Sequence, residues 1–236
     1  NIGLLQSCAI ELDQRTALII APAPIDSIRW SVMWNRTVLL VRKRNVVVAM
    51  PAHESNSFCD SFYFRPMAVP ITYVVVPPKF TLTSPRIKDV RISSYKTKYL
   101  QNWTEWDFAS LGFQRSALLQ FLARNMDTFL ALRGASVVGH CLIERLVDFC
   151  KETSVVRELV AENDDIALKL LKHIRKNKRL RGTKDKGMGL AICCWRGSQV
   201  VQQFTSLLRH GISYRLLFSE FEPFTRPQTL CSYGYL

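Results

Sequence analysis

The sequence predicts an α/β (α+β) fold in which a β-rich first half precedes a second half of alternating strands and helices. Apolar residues make up 48% of the 236 residues, which is enough to form a hydrophobic core. Short apolar runs bounded by proline or polar turns dominate the first half. Helical periodicity becomes clear only from about Arg115 onwards. These three observations together indicate the fold class.

Short apolar runs predict the strands of the first half. Ala17–Ala21 ends at a Pro-x-Pro break, and Thr37–Met50 is predicted as two strands joined by a tight basic turn. Residues 62–69 and Ile71–Pro78 are further strand candidates. Residues 79–106 are polar and predict either a long connector or an irregular, partly extended segment. The sequence predicts no long helix in this half.

Strands and helices alternate in the second half. The helix Asp164–Arg175 is predicted because Ile166, Leu170 and Ile174 recur at four-residue spacing. Gly189–Trp195 is a continuous apolar run of the kind that is buried on both sheet faces. The full predicted order is helix 115–125, strands 129–133, 137–144 and 155–161, helix 164–175, strand 189–195, helix 198–210, and strands 213–219 and 230–235.

The chain is strongly basic, with a formal net charge of +13. Nine lysines and arginines lie between Lys169 and Lys186, against one acid, Asp185. Such a surface attracts anions, so nucleic acid, an acidic membrane face and a phosphorylated small molecule are all candidate partners. Among these, nucleic acid is possible but not favoured, and no membrane partner is predicted. No apolar run approaches the roughly 20 residues that cross a bilayer, so no spanning segment is expected.

Seven cysteines are present, and none forms a CxxC motif. An odd number of cysteines without metal-ligand spacing predicts reduced, mostly buried thiols and no metal site. The expected location is cytoplasmic, with the nucleus as the alternative.

Four residue patterns follow one another between residues 106 and 236. A D-x₄-GF-x-R segment spans Asp107–Arg115, and a hairpin strand ending in VVG lies within Leu130–His140. A strand-to-helix bend of the form V-A-[DE]-x₄-A spans Val160–Ala167, and a strand followed by a helix that ends in Gly-aliphatic spans Cys193–Ile212. Their order resembles the C-terminal lobe of a two-lobed branch of the GNAT (GCN5-related) N-acetyltransferase superfamily.

The resemblance implies a mixed, mostly antiparallel, twisted sheet flanked by helices, with a shortened β-rich N-terminal lobe. It implies two domains. Residues 1–105 would form a degenerate or truncated GNAT-like half with a connector, and residues 106–236 would form the acetyltransferase domain.

The resemblance also implies a site for acetyl-CoA. In this superfamily the fourth strand splays from the fifth, and the pantetheine arm pairs with the fourth strand. The pyrophosphate lies on amides at the start of the next helix, where the helix dipole favours negative charge. Carried over by position, the cofactor-binding residues are Leu159, Val160, Ala161, Asn163, Asp165, Ile166, Ala167, Lys172, Trp195 and Ser198.

The bend that follows this strand departs from the superfamily. The usual Q/R-x-x-G-x-G/A loop is absent, and Glu162, Asp164 and Asp165 would repel phosphate. An alternative interpretation is that Asn163 or Asp164 caps the helix and that the acids stabilise its dipole without any ligand.

The basic helix that follows has three interpretations. Lys169, Lys172 and Lys176 share one face. They would neutralise the 3′-phosphate of coenzyme A, attract nucleic acid non-specifically, or form a solvated surface.

Acetyl transfer to an amine needs a base and often an acid. Glu144 is the candidate base and Tyr214 the candidate acid. The alternatives are a surface strand end for Glu144 and a core aromatic for Tyr214. His140 and His210 are expected to be a packing residue and a helix-end residue.

The sequence therefore predicts an acetyl-CoA-dependent N-acetyltransferase that acts on a small-molecule or peptide amine. The alternative is a catalytically inactive GNAT-like protein whose basic surface binds a partner or nucleic acid. The missing glycines and the short first half favour the alternative, whereas the order of strands and helices favours the enzyme.

Overall fold

The structure is a computed structural model. It describes residues 8–11, 15–20, 35, 39, 45–53, 55–66, 71–76, 81–83, 86–112, 114–148, 151–177, 189–195, 199–202, 212–220 and 230–233. The strands are β1 (Cys8–Glu11), β2 (Thr16–Ile20), β3 (Asn45–Pro51), β4 (Arg65–Pro66), β5 (Ile71–Val76), β6 (Val90–Ser94), β7 (Asp127–Arg133), β8 (Ser136–Asp148), β9 (Lys151–Ala161), β10 (Gly189–Trp195), β11 (Ile212–Phe218) and β12 (Leu230–Tyr233). The helices are α1 (Ser55–Phe62), α2 (Leu100–Leu111), α3 (Ser116–Asn125), α4 (Asp164–Lys176) and α5 (Gln199–Gln202), and a 3₁₀ turn at Thr97–Tyr99 precedes α2.

The chain divides into two compact units. The first contains residues 1–70, 213–223 and 235–236, and the second contains residues 71–212 and 224–234. Residues 71–105 thus group with the second half of the chain. The domain boundary between residues 105 and 106 stays a prediction from the sequence.

The first unit contains β1 to β4 and most of β11. Strand β2 pairs antiparallel with β1 and parallel with β3. Strand β11 pairs antiparallel with both β3 and β4. Helix α1 packs on this sheet because Phe58 joins an apolar cluster with Val46, Val48 and Leu217.

The second unit contains the sheet that carries the candidate site. Its strands follow the order β5, β10, β12, β9, β8, β7, β6, and β10 also pairs with β9. All pairs in this sheet are antiparallel except the parallel pair β9 and β10. The expected mixed, mostly antiparallel sheet flanked by helices is confirmed.

Helices cover the two faces of this second sheet. Ile166 and Leu170 of α4 share one buried core with Cys141 of β8. Trp103 of α2 contacts His140, which neighbours Cys141 in the strand. Because successive residues of a strand point to opposite faces, α2 and α4 lie on opposite faces of the sheet.

Two expectations for the first half are wrong. Helices α1 and α2 form where the sequence predicts no long helix. Strand β6 agrees with the partly extended segment expected within residues 79–106. The buried face of α2 consists of Trp103, Asp107, Ser110 and Leu111, so polar residues hide its periodicity. Leu39, in the first strand predicted within Thr37–Met50, is helical.

The second half follows the sequence closely. Strands β7 to β10 and helices α3 and α4 form where the sequence predicts them, and β8 and β9 extend further. The predicted hairpin turn contains Gly134 with φ of 59°, a conformation that glycine adopts without steric cost. Most of the predicted helix 198–210 lies outside the described residues. Among the described helices, none combines the length and apolar character that crossing a bilayer requires.

Candidate functional site

Strands β9 and β10 run side by side and then part. Residues 153–156 of β9 pair in parallel with residues 189–192 of β10. Beyond them, residues 158–160 of β9 pair with β12 instead. Ser232 of β12 also pairs with Cys194 of β10. The two parallel strands therefore open by the width of one strand, and β12 of the same chain occupies that opening.

A β-bulge lies where the strands part. Leu142 of β8 is opposite Glu158, and the next residue, Ile143, is opposite Val156. Arg157 is thus an extra residue in β9. Because a bulge changes the direction of the side chains around it, Arg157 and Glu158 both reach groups on the face of α2.

The first of these groups is a buried cluster around Arg115, which precedes α3. Its guanidinium donates to both oxygens of Asp107 at 2.8 and 2.9 Å. It also donates to both oxygens of Glu158 at 2.6 and 2.8 Å. The three side chains are at most 1% exposed. The cluster ties the end of α2 and the start of α3 to β9.

Charges in this cluster hold one another ionised. Burial acts to lower the pKa of Arg115, but Asp107 and Glu158 raise this pKa well above its ordinary value. Burial likewise acts to raise the pKa of Glu158, but Arg115 and His140 shift it far below its usual range. Both groups are therefore charged at neutral pH.

Hydrogen bonds fix the tautomer of His140. The indole nitrogen of Trp103 donates to Nδ1 of His140 at 3.1 Å, and an indole can only donate. Nδ1 therefore carries no proton, and we assign the proton to Nε2, which lies 3.1 Å from Oε2 of Glu158. His140 is buried, as expected of a packing residue. It also orients the charged carboxylate of Glu158 through this hydrogen bond.

Asp107, His140 and Glu158 place three potential metal-ligand atoms within 4.8 Å of one another. The donor groups argue against a metal centre. Arg115 donates to all four carboxylate oxygens, and Trp103 occupies Nδ1 of His140. The guanidinium supplies the positive charge that a metal ion would supply, so this is an ion-pair network.

Glu144 lies on the same sheet face as this cluster. Its Oε2 accepts from Nε of Arg157 at 2.6 Å, and the side chains of Glu144 and Arg157 are 34% and 19% exposed. The predicted base is thus anchored by a cation beside the bulge and remains accessible. Tyr214, the predicted acid, lies in β11 opposite Pro51, in the first unit.

Helix α4 begins with an ordinary N-cap. Oδ1 of Asn163 accepts from the amide of Ile166 at 3.1 Å, and its carbonyl accepts from the amide of Ala167 at 3.2 Å. Asp164 and Asp165 lie in the first turn. The predicted N-cap is therefore present and is formed by Asn163.

One of the acids at this bend is already paired. Glu162 accepts from Arg133 at 2.7 Å, and Arg133 also donates to Asp89 at 2.8 Å. These side chains are largely exposed, so the pairing contributes little stability. It does partly neutralise one carboxylate that would otherwise repel an anion.

The lysines of α4 differ in their surroundings. Nζ of Lys169 donates to the carbonyls of Ile87 and Val90, which ties the helix to the start of β6. Lys169 is therefore a structural residue. Lys172 is half-buried and Lys176 is exposed on the same helix.

The structure brings most of the predicted cofactor residues together. Leu159 and Ala161 of β9 share one core with Ile166 and Ala167 of α4. Val160 is buried on the opposite face, where it pairs with His140. Since these side chains are buried, they could meet a ligand only through their backbone groups. Trp195 is the last residue of β10, and Ser198 lies outside the described residues.

Asp107 and Arg115 belong to the D-x₄-GF-x-R segment, which predicts no buried cluster, and Glu158 belongs to no predicted site. The signal was present, because Glu158 stands inside the apolar strand VVRELVA. A charge in the middle of a buried strand requires a buried partner of opposite charge.

Comparison by sequence finds no matching family model and no matching curated protein. Several solved structures match the fold. A candidate acetyltransferase from Pyrococcus horikoshii has a TM-score of 0.59 at 14% identity, covering 96% of this chain and 73% of its own. A GCN5-related N-acetyltransferase from Sphaerobacter thermophilus has a TM-score of 0.55 at 13% identity, covering 94% and 78%. A conserved protein of unknown function from Staphylococcus epidermidis has a TM-score of 0.57 at 12% identity, covering 93% and 96%. The chain therefore has the fold of the GCN5-related N-acetyltransferases.

Proposed function

We propose that this chain is an acetyl-CoA-dependent N-acetyltransferase that acts on an amine of a small molecule or peptide. One observation carries the proposal. In a chain with the GNAT fold, β9 parts from β10 beside the N-terminus of α4. Strand β12 pairs with this edge of β9. Once β12 leaves, a strand edge next to a helix start would offer an extended hydrogen-bonding groove together with a favourable position for negative charge.

The groove fits an extended arm that carries amides. One edge of β9 pairs with β8 on both sides of the bulge. On the other edge, residues 158–160 can therefore exchange β12 for a ligand without loss of the pairing with β8. Backbone groups of Leu159, Val160 and Ala161 would hold the pantetheine arm of acetyl-CoA.

The start of α4 fits a diphosphate less completely. The amides at the start of α4 form the positive end of the helix dipole, but those of Ile166 and Ala167 already donate to Asn163, and the acids of the first turn oppose an anion. Lys172 is the proposed contact for the 3′-phosphate. Trp195 and Ser198 complete the proposed set at the end of β10.

Acetyl-CoA supplies an acetyl thioester, whose transfer forms a carbon–nitrogen bond and breaks a carbon–sulfur bond. Glu144 is the proposed base that takes the proton from the acceptor amine, directly or through water. Arg157 holds its carboxylate in place while leaving it partly exposed. The role of Tyr214 as the acid stays a prediction from the sequence, because Tyr214 belongs to the first unit.

Calorimetric titration with acetyl-CoA, followed by thiol-release assays against a panel of amines, tests the proposal. The panel should include polyamines, amino sugars and peptides with free N-termini or lysines. We expect saturable binding and thiol release with at least one class. Binding without acetylation of any amine would favour the catalytically inactive alternative. Absence of binding at millimolar acetyl-CoA would overturn the proposal.

A further inference from the structure

Strand β12 lies in the groove that the proposed function assigns to the pantetheine arm. Its residues Leu230, Ser232 and Tyr233 pair with residues 158–160 of β9. Ser232 pairs on its other side with Cys194 of β10. The strand is thus inserted between the two parallel strands at the level where they part.

Strand β9 does not need β12 to keep its place. Strand β9 pairs with β8 along its whole length, with one interruption at the bulge. The ladder runs from Ala161 opposite Gly139 to Lys151 opposite Asp148. The cluster of Arg115 and Glu158 fixes β9 to the helices on one face, and Ile166 packs against the other. Removal of β12 would therefore open one edge of β9 and leave the strand itself in position.

The pairing of β12 is short and irregular. The strand has four residues, and its register with β9 shifts between Leu230 and Ser232. A short ladder with a register shift has few hydrogen bonds, so it exchanges more readily than the long ladder between β8 and β9.

Some group must nevertheless fill this position. Leu159 and Val160 are fully buried, and their backbone amides and carbonyls would be costly to leave without partners. An extended chain with its own amides satisfies them. A β-strand has this chemistry, and so has a pantetheine arm, which contains two amide groups.

We propose that β12 is a displaceable strand that competes with coenzyme A for the edge of β9 at residues 158–160. The proposal rests on the proposed function, because it assumes that the cofactor uses this edge. The strand protects the groove when no cofactor is bound. Cofactor binding then requires that β12 leaves, which lowers the apparent affinity by the fraction of molecules that are open.

Hydrogen exchange of the intact wild-type chain tests the competition directly. With saturating coenzyme A, we expect the amides of residues 230–233 to exchange faster than in the free protein. The amides of Leu159 and Val160 should remain protected, because the arm replaces the strand. Unchanged or increased protection of residues 230–233 in the saturated protein would overturn the proposal.

A proline variant tests the same competition without hydrogen exchange. Ser232→Pro removes an amide from a strand that lies between two partners, whereas Ser232→Ala retains it. We expect Ser232→Pro to bind coenzyme A at least about tenfold more tightly than the wild type, and Ser232→Ala to match the wild type. Circular dichroism and thermal unfolding check that both variants fold.

The outcomes separate this proposal from the proposed function. Equal affinity of the wild type and both variants would overturn the competition and leave the transferase proposal standing. Tighter binding by the proline variant alone supports both. Failure of all three proteins to bind coenzyme A would overturn both, since no cofactor would then use the edge of β9.

Discussion

Arg115 carries the most demanding role of any single side chain in the described part of the second unit. It neutralises two fully buried carboxylates and joins two helices to the strand beside the bulge. Two buried carboxylates without a cation would be strongly unfavourable, since ionised groups are rarely buried without a partner. The D-x₄-GF-x-R segment contains Asp107 and Arg115, but the sequence predicts neither their ion pair nor the contact with Glu158, because both depend on tertiary structure.

Replacing Arg115 with methionine tests this role. We expect Arg115→Met to lose about 3 to 5 kcal/mol of unfolding free energy at neutral pH, because both carboxylates lose their buried cation. Urea unfolding measures the change. Arg133→Met is the matched control, since Arg133 also contacts two carboxylates but is largely exposed, and it should lose far less.

The same variant has a pH signature. Without Arg115, burial raises the folded pKa of Glu158 above its unfolded value. The stability from such a group is complete below the unfolded pKa and is lost as the pH rises through the folded pKa, so the deficit of Arg115→Met should shrink as the pH falls. A deficit that is constant with pH would show that the loss comes from packing and not from charge.

Glu144 is the residue on which the proposed chemistry depends. We expect Glu144→Gln to lower kcat by roughly 100- to 10,000-fold, the range of general base catalysis, with little change in unfolding free energy. The amide retains an oxygen that accepts from Arg157. Glu105→Gln, on the exposed side of α2, is the control and should keep full activity. Equal activity of the two variants would exclude Glu144 as the base.

At the scale of elements, the start of α4 has two candidate roles, and substitutions at one position can distinguish them. Asn163 caps the helix, and the proposed function places a diphosphate beside it. Both roles use the same few amides, so loss of the cap alone does not distinguish them. Replacements that keep the cap but change the charge do distinguish them.

Three variants of Asn163 make this test. Asn163→Ala should lose about 1 kcal/mol of unfolding free energy, because the amide of Ile166 loses its acceptor. Asn163→Asp and Asn163→Ser should both retain the cap. If a diphosphate binds here, the aspartate should weaken binding of coenzyme A relative to the serine variant. Equal affinities would place the phosphates elsewhere.

The sequence predicts the elements of the second half because their signals are local. Helix α4 has a clear apolar stripe, and β10 is one continuous apolar run. Helix α2 escapes prediction because Asp107 and Ser110 interrupt its buried face. The run Leu230–Tyr235 predicts a strand, but its place between β9 and β10 is a non-local pairing that no periodicity encodes.

At the scale of the whole molecule, the buried cluster sets a limit on stability in acid. The pKa of Glu158 is shifted well below its unfolded value of about 4.3, chiefly by Arg115 working against burial. A depressed folded pKa contributes stability above the unfolded pKa, and that contribution is lost as the pH falls through the folded value.

We therefore expect the free energy of unfolding to fall steeply below about pH 4. Urea titrations between neutral and acid pH measure this slope. Glu158→Gln cannot take up this proton and should show a shallower acid slope than the wild type, although it is less stable at neutral pH. Identical acid slopes would assign the effect to other carboxyl groups.

The two carbonyl contacts of Lys169 have a chemical consequence for this basic molecule. Amine-reactive labels attack an unprotonated, unshielded nitrogen, and Nζ of Lys169 is engaged by the carbonyls of Ile87 and Val90. In a time course of acylating reagent followed by peptide mass spectrometry, Lys169 should be modified after the exposed Lys176 of the same helix. Early labelling of Lys169 would mean that α4 detaches from the start of β6 far more often than the described contacts imply.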